Sequence, residues 1–291
     1  MALPVIPPYK LTDRNDGKIR YLFPSRCIGT IGQGEDYPGV KAEGAVTIRA
    51  GNKVYFKAQS PIFEHPELLL GFGEADLQSL SVEQVALESK WDQNSTKYIR
   101  HLKSLEKFTA SVAELPKESI EDLNQLPKLS DLAVDGCSMK GSDLVSLKRL
   151  PDLECLTISN LPDCSPVLKK LAEKSKLRHL AVDGCGLNDE DFLNICKLPK
   201  LMYLLAGGNH ISNKNIPALL NVPKLDSIKL GDNPITVEVL PIVLKLHVRT
   251  ICMPNSFYTP NAVKAIEAKF GRQNCYNLTI PKEIKDFTPM P

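Results

Sequence analysis

Cys155 and His179 are the two residues in this chain best suited to covalent chemistry. They stand 24 residues apart. If the intervening chain returns to a neighbouring strand, thiol and imidazole come within reach as nucleophile and base. Asp131 or Asp183 would supply the third, orienting group. Acyl-transfer chemistry also needs donors aimed at a developing oxyanion and a site closed to water. A flat, open sheet supplies neither, so a Cys/His hydrolase is the most remote of the readings. Cys137 and Cys185 also repeat at one position, two units apart. Strands spaced about 4.8 Å would hold them roughly 10 Å apart. That is too far for a disulfide and for a shared metal with bonds of about 2.3 Å. The three glycines of GTIGQG (29–34) fall in the order G-x-x-G-x-G and are followed by Glu-Asp-Tyr-Pro-Gly. A phosphate loop needs a helix N-terminus next, so this stretch reads as a loop in a β region. No cofactor and no metal site are expected.

These residues take their positions from a repeat. Leu105, Leu129, Leu153, Leu177, Leu201 and Leu225 are spaced 24 residues apart without drift. A fixed period of this size is the signature of a repeat architecture. Each unit opens Leu-x-x-Leu-x-Leu: LSDLAV (129–134), LECLTI (153–158), LRHLAV (177–182), LMYLLA (201–206) and LDSIKL (225–230), with LEKFTA (105–110) as a degenerate copy. The second half carries apolar residues three apart, as in Phe192, Ile195 and Leu198, or Ile216, Leu219 and Val222. Such spacing makes one stripe of a helix. Pro127, Pro151, Pro199 and Pro223 then end it and set an extended approach to the next strand. The fold class is α/β: a leucine-rich-repeat solenoid with a parallel sheet on the concave face, helices on the convex face and an N-terminal β cap.

In this pattern the leucines face inward and the alternate residues face out. The outward ladder includes Asp131, Cys155, His179, Tyr203 and Ser227, then Thr157, Leu205 and Lys229, then Asp183. Tyr brings area and a hydrogen-bonding tip to an interface, and Leu205 is apolar on a face that should be wet. These nine residues are the candidate partner-binding set. Where the chain leaves each strand, Cys137, Cys185, Asn209 and Asn233 recur. Asn amides can satisfy backbone groups freed at the turn, which gives them a structural role. The repeat from Leu153 departs from the rule, with Leu161 at the Cys/Asn position, Asp163 at an apolar one and LPDCSP (161–166) in the turn. A bulge or a looser face is expected there.

Residues 1–76 read as a Pro-rich arm and β cap, 77–255 as repeats and 256–291 as a cap helix and tail. Residues 1–24 should form an extended arm. The segment AVTIRAGNKVYFKA (45–58) alternates about Ala50-Gly51-Asn52, a hairpin signal. Thr259-Pro260 should open a helix that Gly271 ends. CYNLTI (275–280) offers a last strand.

The net charge is +2, with no basic run and no acidic tail. No electrostatic case exists for nucleic acid. No stretch approaches about 18 apolar residues, so no membrane span is expected. No signal peptide is seen, although a segment of a longer secreted or anchored chain would look the same. Eight cysteines at these spacings read as free thiols in a reducing, cytoplasmic setting, with Cys252 and Cys275 able to pair. Asn94-Ser-Thr and Asn277-Leu-Thr match the glycosylation acceptor pattern by chance. Oligomeric state is open.

The stretches DGCSMKGSDLVSLKRLPDL (135–153) and DGCGLNDEDFLNICKLPKL (183–201) resemble the bacterial 24-residue leucine-rich repeats abundant in planctomycetes and their relatives. The resemblance covers about 105–255, and AEGAVTIRAGNKVYFKA (42–58) resembles a β module that precedes such repeats. It implies a binding part, in some relatives attached to kinases, though no kinase motif is present here. A non-enzymatic module that holds a protein or peptide on its concave sheet is the expected function. A regulatory region of a larger signalling enzyme is the alternative.

Overall fold

The computed structural model describes residues 6–11, 16–33, 39–49, 53–83, 91, 95–111, 113–173 and 175–275. They form an α/β leucine-rich-repeat fold built as two compact units, Met1–Cys155 and Leu156–Pro291.

The first unit contains β1 (Lys18–Leu22), β2 (Gly29–Gln33), β3 (Val40–Lys41), β4 (Ala45–Arg49), β5 (Val54–Ala58), α1 (Ser60–Glu64), β6 (Ser79–Glu83), β7 (Lys107–Ser111), α2 (Ser119–Leu123) and β8 (Asp131–Asp135). Its main sheet runs β3-β2-β5-β6-β7-β8. The pairs up to β5 are antiparallel, and those from β5 to β8 are parallel. The 45–58 segment forms two strands, but not a hairpin. β4 pairs with β1 in a separate two-stranded sheet, while β5 joins the repeat sheet between β2 and β6. The reason lies in the side chains of β5. Val54, Phe56 and Ala58 are buried, so this strand continues the inward row that Leu80 and Phe108 carry.

Residues 6–11 and 16–24, the described part of the expected arm, are likewise not a free arm. Tyr9 packs its ring on Phe23 and Phe72 at 5.1 and 5.2 Å, and its hydroxyl donates to the Leu68 carbonyl at 2.8 Å. Aromatic burial, not proline content, decides the fate of this segment. GTIGQG is strand β2 through Gln33 rather than a loop. A Cβ at Gly29 would meet the Phe56 ring at 2.6 Å, and one at Gly32 the Tyr55 ring at 2.7 Å. These glycines make room for aromatic neighbours, not for phosphate.

The second unit contains β9 (Cys155–Thr157, all but its first residue), α3 (Ser165–Glu173), β10 (His179–Ala181), α4 (Asp189–Cys196), β11 (Tyr203–Leu205), β12 (Ser227–Lys229), α5 (Leu240–Val243), β13 (Thr250–Cys252) and α6 (Pro260–Phe270). Its strands run β9-β10-β11-β12-β13, with parallel register His179↔Tyr203↔Ser227↔Thr250. The strand leucines Leu156, Leu180, Leu204 and the equivalent Ile228 are all buried.

Several of the helix halves are 3₁₀ turns, at Gly141–Ser146 and Asn213–Asn221. The apolar spacing of three matches a helix with three residues per turn, and Pro217 removes a donor that an α-helix would need. Their stripes are buried, as at Leu144 with Leu147 and Ile216 with Leu219.

Thr259 caps α6 by accepting from the Ala262 N–H at 3.2 Å, and Gly271 ends it at φ 79°. A bridge links Ile251 with Cys275; residues 276–280 of the proposed last strand, and both glycosylation-pattern asparagines, lie outside the described residues. The irregular repeat keeps a regular α3. Asn160 and Asp163 adopt φ 59° and 58°. The turn thereby holds Asp163 exposed and brings Cys164 into the core at 1% exposure.

Candidate functional site

In both units one face of the sheet lies away from the helices and carries the outward residues. The burial pattern alternates half-exposed and buried along β7, β8, β9 and β11.

On the first unit this open face runs Tyr55↔Ser79↔Lys107↔Asp131 in register. A hollow of about 500 Å³ is lined by Thr30, Tyr55, Lys57, Ser79, Ser81, Glu83, Lys107 and Thr109. Lys57 pairs with Glu83 at 2.5 Å, and Lys53 pairs with Glu106. The Lys57 hydrogen bond holds the Glu83 carboxyl below its usual range. The bond to Glu106 raises the Lys53 ammonium. Tyr55 and Lys57 were absent from the sequence-based candidate set because their strand reads as cap. The alternation of VYFKA carried the signal, since it turns both residues to the same side as the repeat ladder.

Asp131 and Cys155 belong to this unit. The Asp131 carboxylate accepts from the Ser130 hydroxyl at 2.5 Å and hydrogen-bonds the Cys155 thiol. Burial, then that carboxylate, pushes the thiol up to about 12. A nucleophilic cysteine needs the opposite shift, so the geometry speaks against the hydrolase reading.

On the second unit the open face presents Thr157, then His179, Tyr203 with Leu205, and Ser227 with Lys229, while Ala181 on the same register is buried. The His179 and Tyr203 rings lie 5.8 Å apart between centroids at 38°. Leu205 is half-exposed beside them and Lys229 is exposed. Arg249, just before β13, pairs with Asp226 at 2.9 Å. Its pKa is raised first by the hydrogen bond to Asp226, with a further bond to Tyr203. Sequence reasoning missed Arg249 because it precedes its strand and reaches sideways.

Asp183 is on the same face, but its Oδ1 accepts the Gly207 N–H at 2.8 Å, and its own N–H donates to the Ser159 hydroxyl at 3.2 Å. It closes the turn between repeats and offers only part of its carboxylate outward.

The corner ladder behind this face is built from amides. Asn209 Oδ1 accepts from the N–H groups of Cys185 and Leu187 at 3.0 Å each, while Nδ2 donates to the Val182 carbonyl at 2.9 Å. Asn233 repeats the arrangement with Ile211 N–H and Ala206 carbonyl. All eight cysteines are unbridged. Among the described residues no group of three or more His, Cys, Asp or Glu side chains could hold a metal ion. Among the same residues no helix is long and apolar enough to cross a membrane.

Neither a family model nor a curated protein sequence matches the chain. Among solved structures it is similar to internalin C2 from Listeria monocytogenes, with 18% identity over 72% of this chain and 81% of that one, at a TM-score of 0.47. It is also similar to an internalin, InlF, from the same organism, with 19% identity over 78% of this chain and 59% of that one, at a TM-score of 0.48. The assignment of the fold rests on the repeats and their strand register, not on these likenesses.

Proposed function

We propose that this chain is a non-enzymatic interaction module that binds a protein or peptide on the open sheet face of its second unit. The observation that carries the reading is the cluster of His179, Tyr203 and Leu205, half-exposed together on a rigid parallel sheet. Aromatic area with a polar tip, fixed by neighbouring strands, is the composition of an interface anchor. Lys229 and Arg249 add donors at its border, with Thr157, Ser227 and Asp183 as smaller polar contacts. Asp131 and Cys155 lie in the first unit, where they hydrogen-bond to each other, and are left out of this surface. The unbridged thiols support a reducing, cytoplasmic setting.

The test is affinity capture from source-cell lysate with wild type and a Tyr203→Asp, Leu205→Asp double variant, with circular dichroism as the check on folding. A partner held by wild type and lost by the folded variant supports the reading, with affinity falling at least about a hundredfold if both residues are anchors. A partner held equally by both proteins removes the site from this face.

A further inference from the structure

The first unit carries two hollows on its open sheet face, apart from the surface proposed for the second unit. The larger, of about 500 Å³, runs from Tyr55 over Ser79, Ser81 and Thr109 to the Lys57–Glu83 pair. The smaller, of about 260 Å³, runs from Tyr55 and Ser79 to Asp131 and the Lys53–Glu106 pair. Tyr55, Ser79 and Lys107 line both. The hollows therefore adjoin across the register row that these three residues form.

Tyr55 is the centre of the arrangement. It stands opposite Gly32 in the β2–β5 ladder. A Cβ at Gly32 would meet the Tyr55 ring at 2.7 Å, and one at Gly39 would meet its hydroxyl oxygen at 2.5 Å. Side chains on a sheet ordinarily stand off it. A ring that fills the space of two missing side chains instead lies down across the neighbouring strands, as aromatic residues do over strand glycines. Tyr55 is half-exposed, so one ring face rests on glycine backbone and the other faces outward. Beside it, Ser79, Ser81 and Thr109 form a floor of short hydroxyl side chains. Each hollow also holds one ion pair. Lys57 donates to one carboxylate oxygen of Glu83 at 2.5 Å, and the Ser81 hydroxyl donates to the other at 2.9 Å. Lys53 donates to Glu106.

These features select a ligand class. The combined lining has three cations, Lys53, Lys57 and Lys107, against three anions, Glu83, Glu106 and Asp131. A lining without net charge draws no anion or cation by its field. β5, β6 and β7 are interior strands, paired on both sides, so an extended peptide finds no ladder edge to join. A sugar ring matches what remains. Its C–H face gains dispersion contact on a flat aromatic face. Its hydroxyls both donate and accept, so they can use a carboxylate and an ammonium group together. We propose that this double hollow binds a neutral disaccharide, with one sugar ring stacked on Tyr55 beside Lys57 and Glu83 and the next reaching Lys53 and Glu106. The site is separate from the His179, Tyr203 and Leu205 surface and goes beyond it.

The experiment is calorimetric titration of the full chain with cellobiose, maltose and diacetylchitobiose, and with methyl β-glucoside, glycerol and inorganic phosphate. At least one disaccharide should bind with a Kd of about 1 mM or tighter. Methyl β-glucoside should bind at least about fivefold more weakly, since it fills one hollow only. Tyr55→Ala should weaken disaccharide binding at least about tenfold and Tyr55→Phe less than about twofold, because phenylalanine keeps the ring. Thr109→Tyr fills the floor from the outward side of β7 and should abolish binding. It decides the matter if Tyr55→Ala does not fold, with circular dichroism as the check. The Tyr203→Asp, Leu205→Asp variant should bind the disaccharide as wild type does, which keeps this test separate from that of the second unit's surface. The proposal is overturned if none of the three disaccharides binds, if phosphate or glycerol binds as tightly as they do, or if the folded Thr109→Tyr variant binds like wild type.

Discussion

Cys155 shows how a residue that looks chemically promising in sequence is disarmed by its surroundings. Its period places it on an outward ladder position, where a thiol beside imidazole and carboxylate groups suggests a nucleophile. In the structure it is half-buried and hydrogen-bonded to a carboxylate, and both effects favour the protonated thiol, pushing its pKa up to about 12 against an ordinary value of 9.0. At neutral pH the thiolate fraction should then be about a thousandfold below that of a free cysteine. The measurable outcome is the rate of reaction with iodoacetamide, peptide-mapped at Cys155. It should be far slower than glutathione's, and Asp131→Asn should recover part but not most of the difference, since burial is the larger cause. A Cys155 rate equal to that of free thiol would return the hydrolase reading to consideration. Outward placement was legible here because strand alternation needs only the phase of the leucines. The carboxylate contact was not, because it depends on which rotamers Ser130 and Asp131 adopt. Arg249 was invisible for a related reason: its reach to Asp226 and Tyr203 crosses strands whose lateral register no single-strand pattern contains.

At the level of elements, the leucine period gave the parallel strands, and apolar spacing of three gave the helix-side stripes. Those stripes did not distinguish α from 3₁₀, since Ile216, Leu219 and Val222 fit either; Pro217 tips that segment toward the tighter form. The 45–58 hairpin failed for a different reason. Alternation identifies a strand but not its partner, and the apolar inward row of β5 gains more by extending the repeat sheet than by folding back on β4. α4 is the repeat helix whose sequence signals its start most completely. Asn188 Oδ1 accepts from the Glu190 and Asp191 N–H groups at 2.8 and 3.1 Å, and the Asp191 carboxylate accepts from the Asn188 N–H at 3.1 Å. This reciprocal cap satisfies orphan donors that would otherwise depend on water. Asn188→Ala should destabilise the chain by about 1 kcal/mol, and Asn188→Gly by only a few tenths. Urea denaturation at pH 7 measures both. Equal losses for the two variants would show that the side-chain oxygen contributes nothing.

For the chain as a whole, the α/β leucine-rich-repeat fold could be read from six leucines. The placement of residues 6–11 and 16–24 could not, because proline content masks what Tyr9, Tyr21 and Phe23 do once Phe72 is beside them. The same burial sets a property of the entire molecule, its response to alkali. Burial pushes Tyr9 in the first unit and Tyr258 in the second up to about 12 from 10.0. It also pushes Cys137 up to about 11 and Cys196 up to about 12, from 9.0. All four are acids whose neutral form is favoured in the folded chain. Their folded pKa values exceed the unfolded ones, so the unfolded state releases protons first as pH rises. Stability is fully present below about pH 9, begins to fall as unfolded cysteines ionise, falls faster above about pH 10 when unfolded tyrosines join them, and this contribution is gone by about pH 12. Each pH unit in the steep part should cost about 1.4 kcal/mol per group. Thermal midpoints recorded from pH 7 to 11 should therefore be level to about pH 9 and then drop. The Tyr9→Phe and Tyr258→Phe variants should flatten the part above pH 10, because phenylalanine keeps the ring and loses the proton. A midpoint that stays level to pH 11 in wild type, or a slope unchanged in the double variant, would mean that these buried phenols are already open to solvent and that the aromatic packing around Tyr9 is not what holds the N-terminal strands in place.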